Sequence, residues 1–587
     1  MSTEACYILG LNLNHGSTAA LLKDGEVLGA VSEERFCREK NRGGIPVLAI
    51  QYLLELAGIG PEDLQVVTIG GQWPTALMVA DHVSRDFNPS GAIIGLVGQV
   101  LNKLPGLEPF YEGAHKSLYQ GMLFPGLKRD LNKRLGEAVG NHNLAYYDHH
   151  DCHAAAALYG FTPDALTGRH LIFTHDSAGD GTCSSVSLAE AGRFKSVGER
   201  TPNAHSPSWI YSVLTDFMGM KILEHEYKLM GLAPYADQKG VDRVYPKFRE
   251  LFSVNQDLSF GSKLHCHAYG HWMRSALDRQ RFDWIAGAAQ RLMEDLLIQW
   301  VNLGVEQNQC DSVVCGGGVF MNVKANMHLG QQSGVKQLIV CPTAGDESTA
   351  IGAAYLGYRD YCDAAGKDFV PQPVTKLYLG PEYDDAAIEA AIQAYSFKRP
   401  VTVEKPEDIE ARVAQLLADG KVVARFAGRA EWGARALGNR SILAHPGDPK
   451  VVKLLNEQIK SRDFWMPFAG SMLAEDADRY LVNPKGIRAQ FMELAFETRP
   501  EAAEKMPAAL HPYDSTIRPQ VVQADVNPSY HRLISLFKEQ TGIGAVLNTS
   551  FNLHGEPIVN FPADALHTLD DSGLKYLAIG GFLVKQE

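Results

Sequence analysis

Two stretches of this chain repeat one plan, and that repetition limits the folds open to it more than any other feature. Residues 7–36, YILGLNLNHGSTAALLKDGEVLGAVSEERF, read as a strand, a Gly/Ser/Thr turn, a strand, the turn Asp24-Gly25 and a third strand. Apolar and β-branched side chains alternate around turns of the kind that close hairpins. Residues 171–187, LIFTHDSAGDGTCSSVS, again run an apolar strand into an acid- and glycine-rich turn and a second strand. A doubled pattern of this kind predicts two similar halves facing a cleft.

With 587 residues, 45% of them hydrophobic, the chain has material for two or three domains. Proline-dotted polar sequence, from GKDFVPQPV to FKRPVTVEKPED, puts a linker at 371–405, between domains at 1–370 and 406–587. The nine cysteines are widely spaced and form no Cys-x-x-Cys pair, which predicts a reducing, cytoplasmic setting rather than a disulfide framework or structural zinc. No basic segment followed by an apolar run opens the chain, and no uncharged apolar stretch reaches the length of a membrane span. A net charge of -13 weighs against nonspecific nucleic-acid binding. Small anions need only a local pocket.

Such a pocket is predicted at residues 428–445, GRAEWGARALGNRSILAH, where Arg429, Arg435 and Arg440 alternate with Gly428, Gly433 and Gly438. Guanidinium forks match phosphate and carboxylate oxygens, and glycines let backbone amides approach a ligand. Lys460 and Arg462 follow closely. Arg518 and the strand-end residues Asn548, Thr549, Ser550 and Asn552 add small polar groups suited to phosphate or a carbonyl.

In YDHHDCHAAAALYG, Asp148 or a neighbour caps a helix that carries His149 and His153 on one face. That spacing suits a transition-metal pair, and equally a polar helix start whose histidines bind carbonyls. Asp176 and Asp346 are the candidates for further ligands, because strand ends of both halves converge on such a cleft. His15 stands on the first turn, where an imidazole suits proton transfer. Arg35 and Arg38, mixed with Glu33, Glu34 and Glu39, read as a solvated, mutually paired face. Cys315 to Gly318 join a strand to a helix with geometry that binds phosphate or allows close packing. His265 and His267 flank Cys266, but along a strand the outer two would point away from the middle one.

The motifs SEERF, HHDCHAA, EYKLMGLAPY, CGGGVFMN, GDESTAIGAA, EWGARALGNRSIL, KSRDFWMPFA and LNTSFN occur in this order. Together they resemble the ATP-dependent O-carbamoyltransferases, which include nodulation-factor and tobramycin carbamoyltransferases, over nearly the whole chain. The resemblance implies a mixed α/β and α+β chain: an actin-like domain, similar to the tRNA-threonylcarbamoylation ATPase, then a YrdC-like domain. It implies that carbamoyl phosphate and ATP, with magnesium, form carbamoyl adenylate in the second domain. The carbamoyl group would then pass in the first domain to a hydroxyl of a natural product or sugar. By motif position, His149, His153, Asp176 and Asp346 would bind Fe(II) or another divalent transition metal. Arg435, Lys460, Arg518, Asn548 and Ser550 would handle ATP and carbamoyl phosphate, with Lys40 reaching in from the first domain. His15, near the acceptor, would join Lys460 and Arg435 as the catalytic groups.

One departure is Met466, where antibiotic-type members carry Arg; Arg462 and Arg440 are candidates to compensate. Two rivals share the first fold. A tRNA threonylcarbamoyl-transfer ATPase fits poorly with the acidic balance, and a non-enzymatic actin-like ATP-binding switch leaves the second anion site without a purpose. A homodimer is the default expectation for assembly.

Overall fold

The computed structural model describes residues 5–72, 124–140, 142–456 and 463–587. The helices and loops expected over 74–140 fall mostly outside these, apart from the helix Phe124–Val139; Lys460 and Arg462 are outside them as well. Among the described residues no helix is long and apolar enough to cross a membrane. The chain divides into two compact units, one of residues 1–33 and 41–374, the other of residues 34–40 and 375–587.

The first unit holds the expected doubling. Its first sheet contains β1 (Tyr7–Asn12), β2 (Thr18–Lys23), β3 (Glu26–Ser32), β4 (Leu64–Gly70) and β5 (Leu144–Tyr147), in the order β3-β2-β1-β4-β5. The second contains β6 (Arg169–Gly179), β7 (Thr182–Glu190), β8 (Arg193–Ser196), a short β9 (Thr201–Pro202) beside β7, β12 (Ser312–Gly316) and β13 (Gln337–Val340). Its order, β8-β7-β6-β12-β13, is the same plan; β10 (Phe252–Val254) and β11 (Phe260–Ser262) form a separate ribbon. In each sheet three antiparallel strands are extended by two parallel ones. This is the duplicated α/β layout of an actin-like domain. Asp24-Gly25 and Asp180-Gly181 turn with φ of 51° and 86°, and 51° and 88°, left-handed values that a tight hairpin of matching twist requires.

Small residues in GDESTAIGAA let the helix Ser348–Ala365 approach the first sheet closely. A Cβ on Gly10 would lie 2.0 Å from the Ala350 carbonyl oxygen, and one on Gly70 2.7 Å from Thr349. On its other side Gly352 meets the helix His149–Ala155, where a Cβ would lie 1.8 Å from the Cys152 carbonyl oxygen.

The second unit is built on one mixed sheet of β14 (Val401–Glu404), β15 (Val423–Phe426), β16 (Arg440–Ala444), β17 (Ala469–Leu473), β18 (Pro519–Val522), β19 (Ala545–Ser550), β20 (Tyr576–Ile579) and β21 (Phe582–Gln586). The order is β14-β21-β20-β15-β16-β19-β17-β18. Its core gathers Phe426, Ile442, Leu547, Phe551, Leu566 and Leu577.

Two features depart from the sequence reading. The stretch 371–405 is no free linker: from Thr375 it belongs to the second unit and supplies the helix Asp385–Ala394 and the edge strand β14. Residues Glu34–Lys40 also belong to the second unit, so Lys40 does not reach in from the first. Arg35, only 4% exposed, donates to the Gly433 carbonyl at 2.6 Å, and Arg38 donates to those of Ile558 and Pro557 at 2.8 and 3.0 Å. Each arginine also meets a carboxylate, Arg35 the adjacent Glu34 at 4.0 Å and Arg38 the distant Glu556 and Asp564 at 3.4 and 3.7 Å, so the pairing expected within the run is kept in part, around a buried Arg35 rather than on a solvated face.

Candidate functional site

In the first unit a metal-type cluster forms where both halves contribute. Asp148 caps the helix His149–Ala155 by accepting from the amides of His150 and Asp151 at 3.0 and 3.1 Å. The next turn brings His153 Nε2 to 3.1 Å from His149 Nε2. Asp176, from β6, places Oδ2 3.5 Å from His153 Nε2 and 4.0 Å from His149 Nε2. Asp346, in the turn before the helix Ser348–Ala365, places Oδ1 3.7 Å from His149 Nε2 and 3.9 Å from His153 Nε2. All four donors lie within 4.8 Å of one another. A divalent ion with bonds of about 2.0–2.2 Å holds neighbouring donors roughly 3–3.5 Å apart, so modest contraction accommodates one, and two imidazoles with two carboxylates suit a transition metal.

The surroundings orient these donors. His153 Nδ1 shares a 2.9 Å hydrogen bond with Ser348 Oγ; with the proton on Nδ1, Nε2 turns its lone pair to the cluster. Asp176 Oδ2 accepts from the Gly318 amide at 2.8 Å, and Oδ1 from the Ser177 amide at 2.6 Å. The glycine run therefore serves a carboxylate and close packing: a Cβ on Gly317, whose φ is +95°, would lie 2.4 Å from the His175 carbonyl oxygen. Burial pulls the His149 imidazole down, but Asp346 and Asp176 outweigh it and hold it up at about 9. Burial, with the Asp176 charge, pushes the Asp346 carboxyl up to about 8. Burial alone would raise Asp176 too, yet the two histidines beside it hold it well below the usual carboxylate range. His15 lies on the β1–β2 turn, its carbonyl accepting from Asn12 at 2.9 Å. A Cβ on Gly16 would come within 3.9 Å of Glu347 Oε2, so this turn borders the Asp346 turn.

In the second unit the arginine loop joins β15 to β16, and its cations take different roles. Arg440 is fully buried with its guanidinium 3.7 Å from the Phe426 ring centre, donating to the carbonyls of Ala427, Asn439, Gly428 and Pro381. Burial pushes it down to about 10, against the pull of Glu431. Arg429 donates to the carbonyls of Gly380 and Leu379 at 3.0 and 2.7 Å. Both hold the loop, so Arg440 is in no position to replace the cation missing at Met466, itself buried. Arg435 is half-buried. Next to it, the Ala436 carbonyl accepts from Asn548 Nδ2 at 3.1 Å, and Leu437 accepts from Gln520 Nε2 at 2.8 Å. Arg518, half-buried, immediately precedes β18, the strand that carries Gln520. Asn548 Nδ2 also donates to Ser471 Oγ at 2.9 Å, while Asn548 Oδ1 is buried without a partner among the described residues. Ser550 Oγ donates to Asn552 at 2.6 Å.

The carbamoyltransferase N-terminus family model matches residues 7–355, more than half the chain, and the carbamoyltransferase C-terminus model matches residues 414–586. The chain belongs to the carbamoyltransferase family. It is therefore a transferase enzyme. Uncharacterized protein sll1178 of Synechocystis sp. is 30% identical, with 98% of this chain and 96% of that one covered. Nodulation protein NolNO of Sinorhizobium fredii is 28% identical, over 97% and 79%. The 3'-hydroxymethylcephem-O-carbamoyltransferase of Amycolatopsis lactamdurans is 29% identical, over 45% and 47%.

Glu431 of this carbamoyltransferase escaped the sequence reading. Its Oε1 accepts from the amides of Leu437, Asn439 and Arg440 at 2.7, 2.8 and 3.0 Å, gathering the loop around one buried carboxylate. Only its place inside the loop, two residues after Arg429, could have drawn attention to it.

Proposed function

We propose that this carbamoyltransferase is an O-carbamoyltransferase that activates carbamoyl phosphate with ATP and delivers the carbamoyl group to a hydroxyl of a small natural product or sugar. In a balanced sequence, carbamoyl phosphate loses inorganic phosphate to water, and the carbamate oxygen attacks the α-phosphorus of ATP, giving carbamoyl adenylate and releasing pyrophosphate. The acceptor oxygen then bonds to the carbamoyl carbon as AMP leaves. Nitrogen donation makes that carbon a poor electrophile, so adenylation supplies the leaving group.

The second unit, read as YrdC-like, carries the adenylation step, with Arg435, Arg518 and Lys460 neutralising phosphate charge. Asn548 keeps Nδ2 on the protein, which leaves Oδ1 to accept from the carbamoyl nitrogen, and Ser550 and Lys40 complete the anion contacts. In the first unit His149, His153, Asp176 and Asp346 would hold a divalent transition metal, iron by family resemblance. Such an ion, when bound there, would polarise a carbonyl or hydroxyl oxygen. His15 takes the acceptor proton. The reading is carried by one observation: the four-donor convergence, in a chain whose two stretches both match carbamoyltransferase models. A hydroxyl acceptor is favoured by the name of the cephem-modifying relative.

The test is pyrophosphate release from ATP and carbamoyl phosphate, with candidate acceptors then screened for a mass gain of about 43 Da. Arg435→Ala and Arg518→Ala should each slow release at least about tenfold. Absence of pyrophosphate from the unaltered enzyme sinks the adenylation step, and normal release by both variants removes the arginine roles.

A further inference from the structure

A second cluster of ligand-type side chains lies outside the machinery described above. His265, Cys266 and His267 follow β11, where a strand would turn the outer residues away from the middle one. The chain forms a tight turn instead, with Cys266–Ala268 in 3-10 conformation and His265 capping it. That turn brings one donor atom from each of the three residues within 4.8 Å of one another. Cys266 Sγ is 3.9 Å from His265 Nδ1, and the His265 and His267 ring centres are 4.6 Å apart. His265 is 4% and Cys266 8% exposed, while His267 is half-buried.

Two further observations bear on what this turn can bind. The His267 amide donates to His265 Nδ1 at 3.3 Å, so Nδ1 carries a lone pair rather than a proton, and this is the nitrogen facing the sulfur. A 3.3 Å hydrogen bond is long, so a metal bond displaces little. The donor set also differs in kind from the first cluster: a thiol and two imidazoles favour a borderline-soft ion, whereas two imidazoles and two carboxylates favour a harder one. Zinc-type ions favour four ligands, so a fourth donor such as solvent would complete the set.

We propose that His265, Cys266 and His267 form a second metal site, selective for a borderline-soft divalent ion of the zinc or cobalt type. The Cys266 thiol releases its proton to solvent as the sulfur–metal bond forms, and no electron is exchanged. The turn is tied to the first cluster's wall. Tyr269, just after it, bonds the Ser206 carbonyl through its hydroxyl at 3.4 Å; Ser206 Oγ pairs with Ser208 Oγ at 2.8 Å, and Ser208 Oγ donates to the Asp176 carbonyl at 2.8 Å. An ion at the turn would therefore stiffen the support of Asp176 without touching substrate.

The test uses the full chain, stripped with chelator and reloaded with cobalt(II) alone, and reads metal content together with absorption from sulfur-to-cobalt charge transfer. Only this cluster offers a sulfur, so the two sites are told apart by colour. The unaltered chain should bind about two ions and show the band, His149→Ala/His153→Ala about one with the band kept, and Cys266→Ser about one with the band lost. A reloaded chain with no sulfur-to-cobalt absorption, or a Cys266→Ser chain that keeps both ions, overturns the second site. Either result leaves the carbamoyl-transfer reading standing, since that rests on pyrophosphate release.

Discussion

At the scale of single residues, two buried glutamates behave differently. Glu431 gives one oxygen to three amides, and such charge-assisted bonds are strong where water is excluded. Glu431→Gln keeps the size but removes the charge. It should cost about 1–3 kcal/mol in urea unfolding and raise the KM for carbamoyl phosphate, because Arg435 loses its fixed loop. Glu493 has the opposite character. Burial pushes its carboxyl from 4.5 up to about 7, although the Phe491 amide at 2.9 Å pulls the other way. The folded chain then holds a proton there more tightly than the unfolded one, so stability falls as pH rises from about 4.5 to about 7 and stays low above. Glu493→Gln should therefore be more stable than the parent by about 1–3 kcal/mol at pH 8 and nearly equal at pH 4.5, checked by thermal melts at both. An equal difference at the two pH values would contradict this account.

At the scale of elements, the close seat of the helix Ser348–Ala365 on the helix His149–Ala155 brings Asp346 and Ser348 to the histidines. Gly352→Ala adds a methyl group 1.8 Å from a backbone oxygen, which must force the helices apart. The expected result is a loss of about 1–3 kcal/mol and weaker metal retention, read by melting and by metal analysis after dialysis. The same elements show what sequence could convey. Hairpin strands, the Asp148 cap and the His149/His153 face follow from local rules of turn and helix, and all three appear in the structure. The arginine stretch stood out in the sequence as cations spaced by glycines, but the carbonyls of Leu379 and Gly380 that hold Arg429, and that of Pro381 that joins the local partners of Arg440, are brought near only by folding. Proline and charge around 371–405 suggested a tether for the same reason: nothing local shows that β14 will pair with β21 at the far end of the chain.

At the scale of the whole molecule, the two units are not consecutive along the chain. A polypeptide beginning at Thr375 lacks the bonds from Arg35 to Gly433 and from Arg38 to Ile558 and Pro557. Such a fragment should melt about 5 °C or more below the same fragment carrying residues 34–40 on a short flexible tether, as measured by calorimetry. Equal melting points would show those bonds to be dispensable. The threading also bears on descent: if a crossover between two relatives fell at residue 374, the hybrid's second body would receive its Glu34–Lys40 piece from one ancestor and the rest from the other. Arg38 also pairs with the side chains of Glu556 and Asp564, at 3.4 and 3.7 Å, so a change at one end is expected to be matched at the other, coupling drift across more than five hundred residues of chain.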